Sequence, residues 1–253
     1  MTTEPNAADR LGRSLRLLWE PREPHTRGPK PALTLAQVVD TAISVADADG
    51  LDALSMRRVA RDLGVGTMSL YRYIPGKAEL LDLMLDRVSD PGDQIAAAEG
   101  KDWRGILALV ARRGRTLYLR HPWLLQVNWS RPVLGPNTVA GLEFVVASLA
   151  GLGLTDRERI NVLTTIDGYV VGATRGEIMY SRAVDETGLS DEEFWGRQSP
   201  VLGDAMASGE YPAMAGLSED AFGRGWDESF EWGLQRVLDG IESLVGSRPP
   251  ATP

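Results

Sequence analysis

Apolar residues recur along this chain at helical spacing almost from end to end. Leu35, Val38, Ala42, Val45 and Ala46 share one stripe, opened by Thr34-Leu-Ala-Gln37 and closed at Gly50. Thr34 and Gln37 form a capping box, in which the threonine oxygen serves the backbone N–H of Gln37 and Gln37 reaches back. A second amphipathic helix follows Pro75-Gly76, through Leu80, Leu81, Met84, Leu85 and Val88. Apolar positions at 103, 106/107, 110, 114 and 117 predict a helix over Trp103–Arg120, stopped by His121-Pro122. A short apolar segment, Trp123–Trp129, is closed by Arg131-Pro132. Asn137 is placed to cap a helix over Thr138–Leu152, and the capping box Thr155–Glu158 opens a long helix to about Arg182. Residues 183–217, punctuated by glycine and proline, read as loop with helical fragments. Trp226–Val245 is the last helix, with Trp226, Phe230, Leu234, Val237, Ile241 and Leu244 on one stripe. No alternating pattern of useful length appears, so the fold class is all-α.

Residues 1–33 stand apart as an extension. Asp9–Glu20 places Leu11, Leu15, Leu18 and Trp19 on one side and Arg10, Arg13 and Arg16 on another. Exposed leucine and tryptophan would cost solubility, so this turn or three is expected to dock on the protein. Pro21, Pro24, Pro29 and Pro31 then enforce an extended path through the basic stretch Thr26–Lys30.

The stretch Ser55–Lys77, SMRRVARDLGVGTMSLYRYIPGK, carries the chemistry. Arg57, Arg58, Arg61, Arg72 and Lys77 oppose Asp62 alone, a local charge of +4. Ala60 is small where two helices must approach, Gly64 follows at the turn, and Leu70 locks the second helix to the core: a helix-turn-helix. The second helix, roughly Gly66–Tyr73, exposes Thr67, Met68, Ser69, Arg72 and Tyr73, a mixture suited to base edges and phosphates. Arg57 and Arg72 are candidates for base contacts, with Thr67, Met68 and Ser69 reading edges; Tyr71, Tyr73 and Lys77 are candidates for phosphates.

Residues 34–88, with A-x-x-L-G-V as Ala60–Val65, S-L-Y as Ser69–Tyr71 and P-x-K-x-x-L-L as Pro75–Leu81, resemble the head of a TetR-family repressor. The close match covers about a fifth of the chain. The remainder resembles the family's ligand-binding body in layout, with local similarity to the tetracycline-repressor branch at Val127–Pro132 (VNWSRP). The resemblance implies an extension (1–33) with a basic arm that can enter a minor groove, a three-helix DNA-binding head (34–88) and a larger helical ligand-binding and dimerisation body (89–248). It implies a ligand-responsive regulator, a repressor released from palindromic operator DNA by a small organic molecule. The tetracycline branch holds a metal–drug chelate with a histidine where this chain has Asn128, so a metal-free, flat or hydrophobic inducer is expected, with no cofactor and no metal.

Two sites beyond the head follow. Gly168, Gly172 and Gly176 share one face of the long helix; glycine costs ~1 kcal/mol in a helix interior, which argues for close approach of another backbone. The resemblance implies that this helix and the last one, through Phe230, Leu234, Val237 and Ile241, pair across a two-fold axis into a dimer. A body pocket is expected among Trp103, Trp123, Leu124, Val127, Asn128, Trp129, Phe144, Tyr169 and Met179, drawing on seven tryptophans.

Composition limits the alternatives. Net charge is −8, but residues 1–90 carry 12 basic and 13 acidic groups against 15 and 22 in 91–253, so the acidity lies in the body. No apolar run approaches the ~20 residues of a membrane span, and Arg10, Arg13 and Arg16 interrupt any signal-peptide core. Zero cysteines and two histidines, His25 and His121, exclude thiol chemistry and make a histidine metal centre or triad hard to assemble. An enzyme using Glu143, Asp167 or Glu177 lacks a partnered nucleophile or base. A cytoplasmic, nucleoid-associated bacterial regulator is the expectation, with a ligand-free architectural DNA binder as the alternative.

Overall fold

The computed structural model describes residues 7–20, 33–129, 131–218, 221, 223 and 225–248. The basic stretch 26–30 and Ser130 lie outside them. Among the described residues all regular structure is helical: α1 (Ala7–Trp19), α2 (Leu35–Asp49), α3 (Met56–Asp62), α4 (Thr67–Tyr71), α5 (Lys77–Val88), α6 (Gln94–Ala97), α7 (Trp103–Arg120), α8 (Pro136–Ser148), α9 (Asp156–Thr187), α10 (Asp191–Ala207), α11 (Pro212–Ala215) and α12 (Trp226–Gly246), with 3₁₀ turns at Leu51–Ala53 and Pro122–Gln126.

In the head, α2, α3 and α4 close around Val38, Ala42, Val45, Val59, Ala60, Leu70 and Ile74, all buried. Both capping boxes form as the sequence predicts, at Thr34–Gln37 and Thr155–Glu158. The turn between α3 and α4 places Gly64 at φ 69°, a region that penalises a Cβ, while the Val65 N–H donates to the Ala60 carbonyl at 3.0 Å. α1 docks, but not by the stripe the sequence marks: Leu11, Leu15 and Trp19 stay exposed, and only Leu17 and Leu18 pack against the core. Polar contacts hold it instead: Ser14 is buried and donates to Asp82 of α5 at 2.6 Å, Arg13 meets Glu79 at 2.8 Å, and the Trp19 indole donates to the Leu134 carbonyl at 2.9 Å. Burial pushes the Asp82 carboxyl up from its ordinary pKa.

The body is built on α7, α9 and α12. At the α7–α9 crossing a Cβ on Gly114 would lie 3.2 Å from Val170, so glycine lets the two helices approach without shifting that valine. Arg115 grips Glu177 at 2.8 Å and Asp227 at 2.7 Å, and Arg104 pairs with Asp239 at 2.6 Å.

Three further expectations are corrected. Asn137 does not cap α8, which starts earlier, on Pro136. Buried Asp86 of α5 performs the capping, accepting from the Thr138 N–H and hydroxyl, both at 3.0 Å. The long helix α9 continues past Arg182 to Thr187, where Gly188 in the left-handed region ends it. Residues 191–207, expected as loop, form a full helix despite Pro200, because Ser190 and Glu193 make a third capping box ahead of it.

Candidate nucleic-acid interface and body cavity

Gly66 opens α4 and the Ser69 N–H donates to its carbonyl at 2.8 Å, which sets the outer face of this single turn and a half. Met68 is 76% exposed, Tyr71 and Arg72 are exposed, and Thr67 and Ser69 are half-buried at the same surface. Arg57, in the first turn of α3, is exposed. Lys77 is exposed at the start of α5, its ammonium donating to the Leu51 carbonyl at 3.1 Å. Five of these seven residues are exposed and two half-buried, on three consecutive helices of the head.

Tyr73 departs from its expected phosphate role. Its ring is half-buried and its hydroxyl donates to the Leu33 carbonyl at 2.8 Å, tying the recognition segment to the start of α2. The local charge is also lower than a residue count indicates. Arg58 is held by Asp62 at 2.8 Å and Asp49 at 2.7 Å, which raises its pKa and offsets its charge with two carboxylates. Among the described residues Arg57, Arg72 and Lys77 carry no ion pair.

The body holds a cavity of ≈ 900 Å³, and it opens at the junction with the head. Asp40, Ile43, Ser44 and Asp47 of α2 form one wall at helical spacing. Arg87 and the segment after α5 form another, and α7, α8 and α9 complete it with Leu107, Ala111, Thr116, Gly141, Val145 and the run Leu163, Ile166, Asp167, Val170. Most charged groups on the wall are paired. Arg87 meets Asp40 at 3.0 Å, Arg113 donates to the Asp90 carbonyl at 3.0 Å, and Asp47 accepts from Trp123 and His121, both at 2.7 Å. Since a carboxylate only accepts, His121 carries its proton on Nδ1. Burial raises the pKa of Asp167, for which no donor lies within reach among the described residues.

None of the predicted pocket residues lines this cavity. Trp123 and Leu124 are buried in the core, Trp103, Val127 and Phe144 pack partly buried against it, and the Trp129 indole folds back onto the Leu124 carbonyl at 3.1 Å. Asn128 lies in the same turn beyond the cavity wall. Tyr169 donates to the Phe230 carbonyl at 2.6 Å between α9 and α12, and Met179 is exposed against Arg175. The true lining was carried in the sequence by stripes half apolar and half polar, such as Asp40, Ile43, Ser44 and Asp47.

The dimer set divides. Nothing lies within 4 Å of a Cβ placed on Gly168 or Gly172, so that face is open in the protomer, while Gly176 backs onto Trp226 at 3.6 Å. Phe230, Leu234 and Ile241 are buried within the protomer and so offer little surface to a second copy, whereas Val237 is only partly buried. The outward face of α12 carries Trp232 (56% exposed), Arg236 and Gly240 instead.

Two family models match the chain: bacterial regulatory proteins of the tetR family over residues 38–84, and the tetracyclin repressor-like C-terminal domain over residues 96–245. The chain is 53% identical to the HTH-type transcriptional repressor DrrR1 of Streptomyces coeruleorubidus over 98% of this chain and 91% of that one. It superposes on ActR of Streptomyces coelicolor in complex with actinorhodin with a TM-score of 0.63 at 28% identity, covering 87% of this chain and 100% of the other. A possible TetR-family regulator from the same organism gives 0.61 at 30% identity, covering 83% and 98%. The chain belongs to the TetR family and is a DNA-binding transcriptional regulator, a family that is not one of enzymes.

Proposed function

We propose that this TetR-family regulator is a repressor that binds a palindromic operator as a homodimer in the bacterial cytoplasm and is released when a small organic molecule fills the cavity at the head–body junction. One observation carries the reading: α2, a helix of the DNA-binding head, forms a wall of the same cavity as α7, α8 and α9. A molecule seated there touches both parts at once. It therefore has different affinities for conformers that hold the head at different angles, which is the condition for coupling ligand to DNA. ActR, a relative whose crystal structure is a complex with actinorhodin, supports regulation by a small organic molecule.

Two heads on one two-fold axis would place their recognition helices ~34–36 Å apart, one turn of B-DNA. The open backbone at Gly168 and Gly172, beside exposed Met179, supplies a face on which α9 of a second copy can approach closely. A cavity of ≈ 900 Å³ with apolar walls from Leu107, Val145, Leu163 and Val170 suits a large, largely hydrophobic molecule with a few polar groups.

The test fills the cavity. Gly141 lines it and nothing lies within 4 Å of its Cβ position, so the backbone there accepts a side chain and Gly141→Phe adds bulk at the cavity wall. The variant should bind DNA from upstream of its own gene as wild type does. Compounds that raise the wild-type melting temperature and dissociate that complex should leave it unmoved. Equal response of variant and wild type would place the ligand elsewhere.

A further inference from the structure

The first helix of the chain lies outside both family matches, and its neighbours give it a use. α1 is fixed rigidly by Ser14 on Asp82, Arg13 on Glu79 and Trp19 on the Leu134 carbonyl. Its stripe Arg13, Arg16, Leu17 and Glu20 borders a cleft of ≈ 390 Å³ whose other side is Tyr71, Arg72, Tyr73 and Pro75, the end of the recognition helix. Arg16 and Arg72 are both exposed on this cleft, and among the described residues neither carries an ion pair. Two guanidinium groups without a carboxylate partner on one cleft repel each other, and an anion bound in that cleft is attracted by both. The anion that passes the end of a recognition helix seated in a major groove is the phosphate backbone bordering the groove.

We propose that α1 is a fourth DNA-contacting element, in which Arg16 joins Arg72 in holding duplex phosphates at the flank of the half-site. The inference rests on α4 entering the major groove. An arm that orders on binding loses part of its contact energy to the ordering, whereas α1 is already docked, so the Arg16 contact carries little of that penalty. Glu20, on the same cleft, opposes the phosphate and tempers the affinity. Arg13 contributes less, because Glu79 already holds it.

Titration of end-labelled duplex by the full chain, across a range of salt, tests this. Two probes serve: DNA from upstream of the protein's own gene and a random duplex of equal length. Arg16→Ala should weaken binding to both probes several-fold and reduce the slope of log Kd against log salt by about one per protomer, or about two for a dimer. Arg16→Lys should retain most of both, Arg16→Glu should weaken binding further than alanine, and Glu20→Gln should tighten it. Among the described residues Arg16 has no ion pair, so these variants should melt like wild type. Wild-type affinity and slope in Arg16→Ala and Arg16→Glu would overturn the proposal, as would equal weakening by alanine and lysine with the slope unchanged, since that is a packing effect. Arg57→Ala separates the two levels. If it too binds as wild type, placement of α4 in the groove fails; if it weakens binding while Arg16→Ala does not, only the role of α1 fails.

Discussion

Asp47 of α2 accepts a hydrogen bond from the indole Nε1 of Trp123 at 2.7 Å, and through it the DNA-binding head is fastened to the corner where α7 ends. His121 donates to the same oxygen, also at 2.7 Å, and its ring meets Trp123 edge-on with centroids 6.1 Å apart. Both Asp47 and His121 lie on the wall of the large cavity, so the fastening of the head is within reach of anything bound there. Asp47→Ala leaves a buried indole N–H without a partner, which should cost about 1–3 kcal/mol and lower Tm by several degrees. It should also uncouple the parts: an inducer would still bind the cavity by thermal shift but dissociate less DNA. Unchanged Tm and unchanged induction would show that the bridge holds nothing.

Arg57 and Lys77 should differ in kind. Arg57→Ala is expected to weaken operator binding by ~1–3 kcal/mol and relax preference at one base pair, while Lys77→Ala weakens all duplexes alike and lowers the salt slope by about one per protomer. Tyr73→Phe tests the reassigned tyrosine. Loss of its bond to the Leu33 carbonyl should cost about 1 kcal/mol of stability, with the salt slope of DNA binding unchanged. Anisotropy titrations alongside melting curves separate the three.

The head was legible because its signals are local. Ala60, Gly64 and Leu70 lie within eleven residues, and each answers to a single steric demand of one turn. The cavity was not legible, because six helices contribute to it and the longer ones contribute faces of mixed polarity. The tryptophans drew attention there for a poor reason: the indoles of Trp123 and Trp129 spend their N–H groups on Asp47 and the Leu124 carbonyl, as core residues do. Likewise the periodic stripe of α12 correctly marked Phe230, Leu234 and Ile241 as buried, but periodicity does not say against what. Their partners are α7 and α9 of the same chain.

Gly135 should tolerate no side chain. A Cβ there would lie 2.4 Å from the Asp86 carboxylate that caps α8, although the backbone angles of Gly135 suit any residue. Gly135→Ala must therefore push Asp86 off the Thr138 N–H and hydroxyl, leaving a buried carboxylate short of donors. A loss of about 1–3 kcal/mol is expected in chemical denaturation, and Asp86→Asn in the same background should recover part of it. An alanine variant as stable as wild type would show that α8 does not depend on this cap.

Gly172→Leu separates interface from core. Since nothing in the protomer lies within 4 Å of its Cβ, leucine meets no clash and gains close to 1 kcal/mol of helix propensity. The folded protomer should be at least as stable, yet sedimentation should shift towards monomer and DNA affinity should fall with Arg57 intact. An unchanged dimer would move the interface off this face of α9.

Asp167 is the carboxylate on the cavity wall that no neighbour satisfies, and its cost should depend on pH. Partial desolvation on the cavity wall raises its folded-state pKa above the ordinary aspartate value, though the side chain is exposed to solvent, which keeps the effect modest. A raised acid pKa means that the folded protein prefers the protonated form. The charge therefore subtracts stability at pH above the raised value, and the penalty disappears as pH falls through that value towards the unfolded one. Asp167→Asn removes the charge at nearly constant shape. It should melt roughly 1–3 °C higher than wild type at neutral pH, with the gap closing as the pH falls towards 4. A gap that is constant with pH would assign the gain to packing, and a lower Tm at neutral pH would mean that the carboxylate has a stabilising partner in solution. Tyr118, whose own pKa is pushed up by burial and by the charge on Asp167, supplies a second readout: its phenolic titration should move down in the asparagine variant.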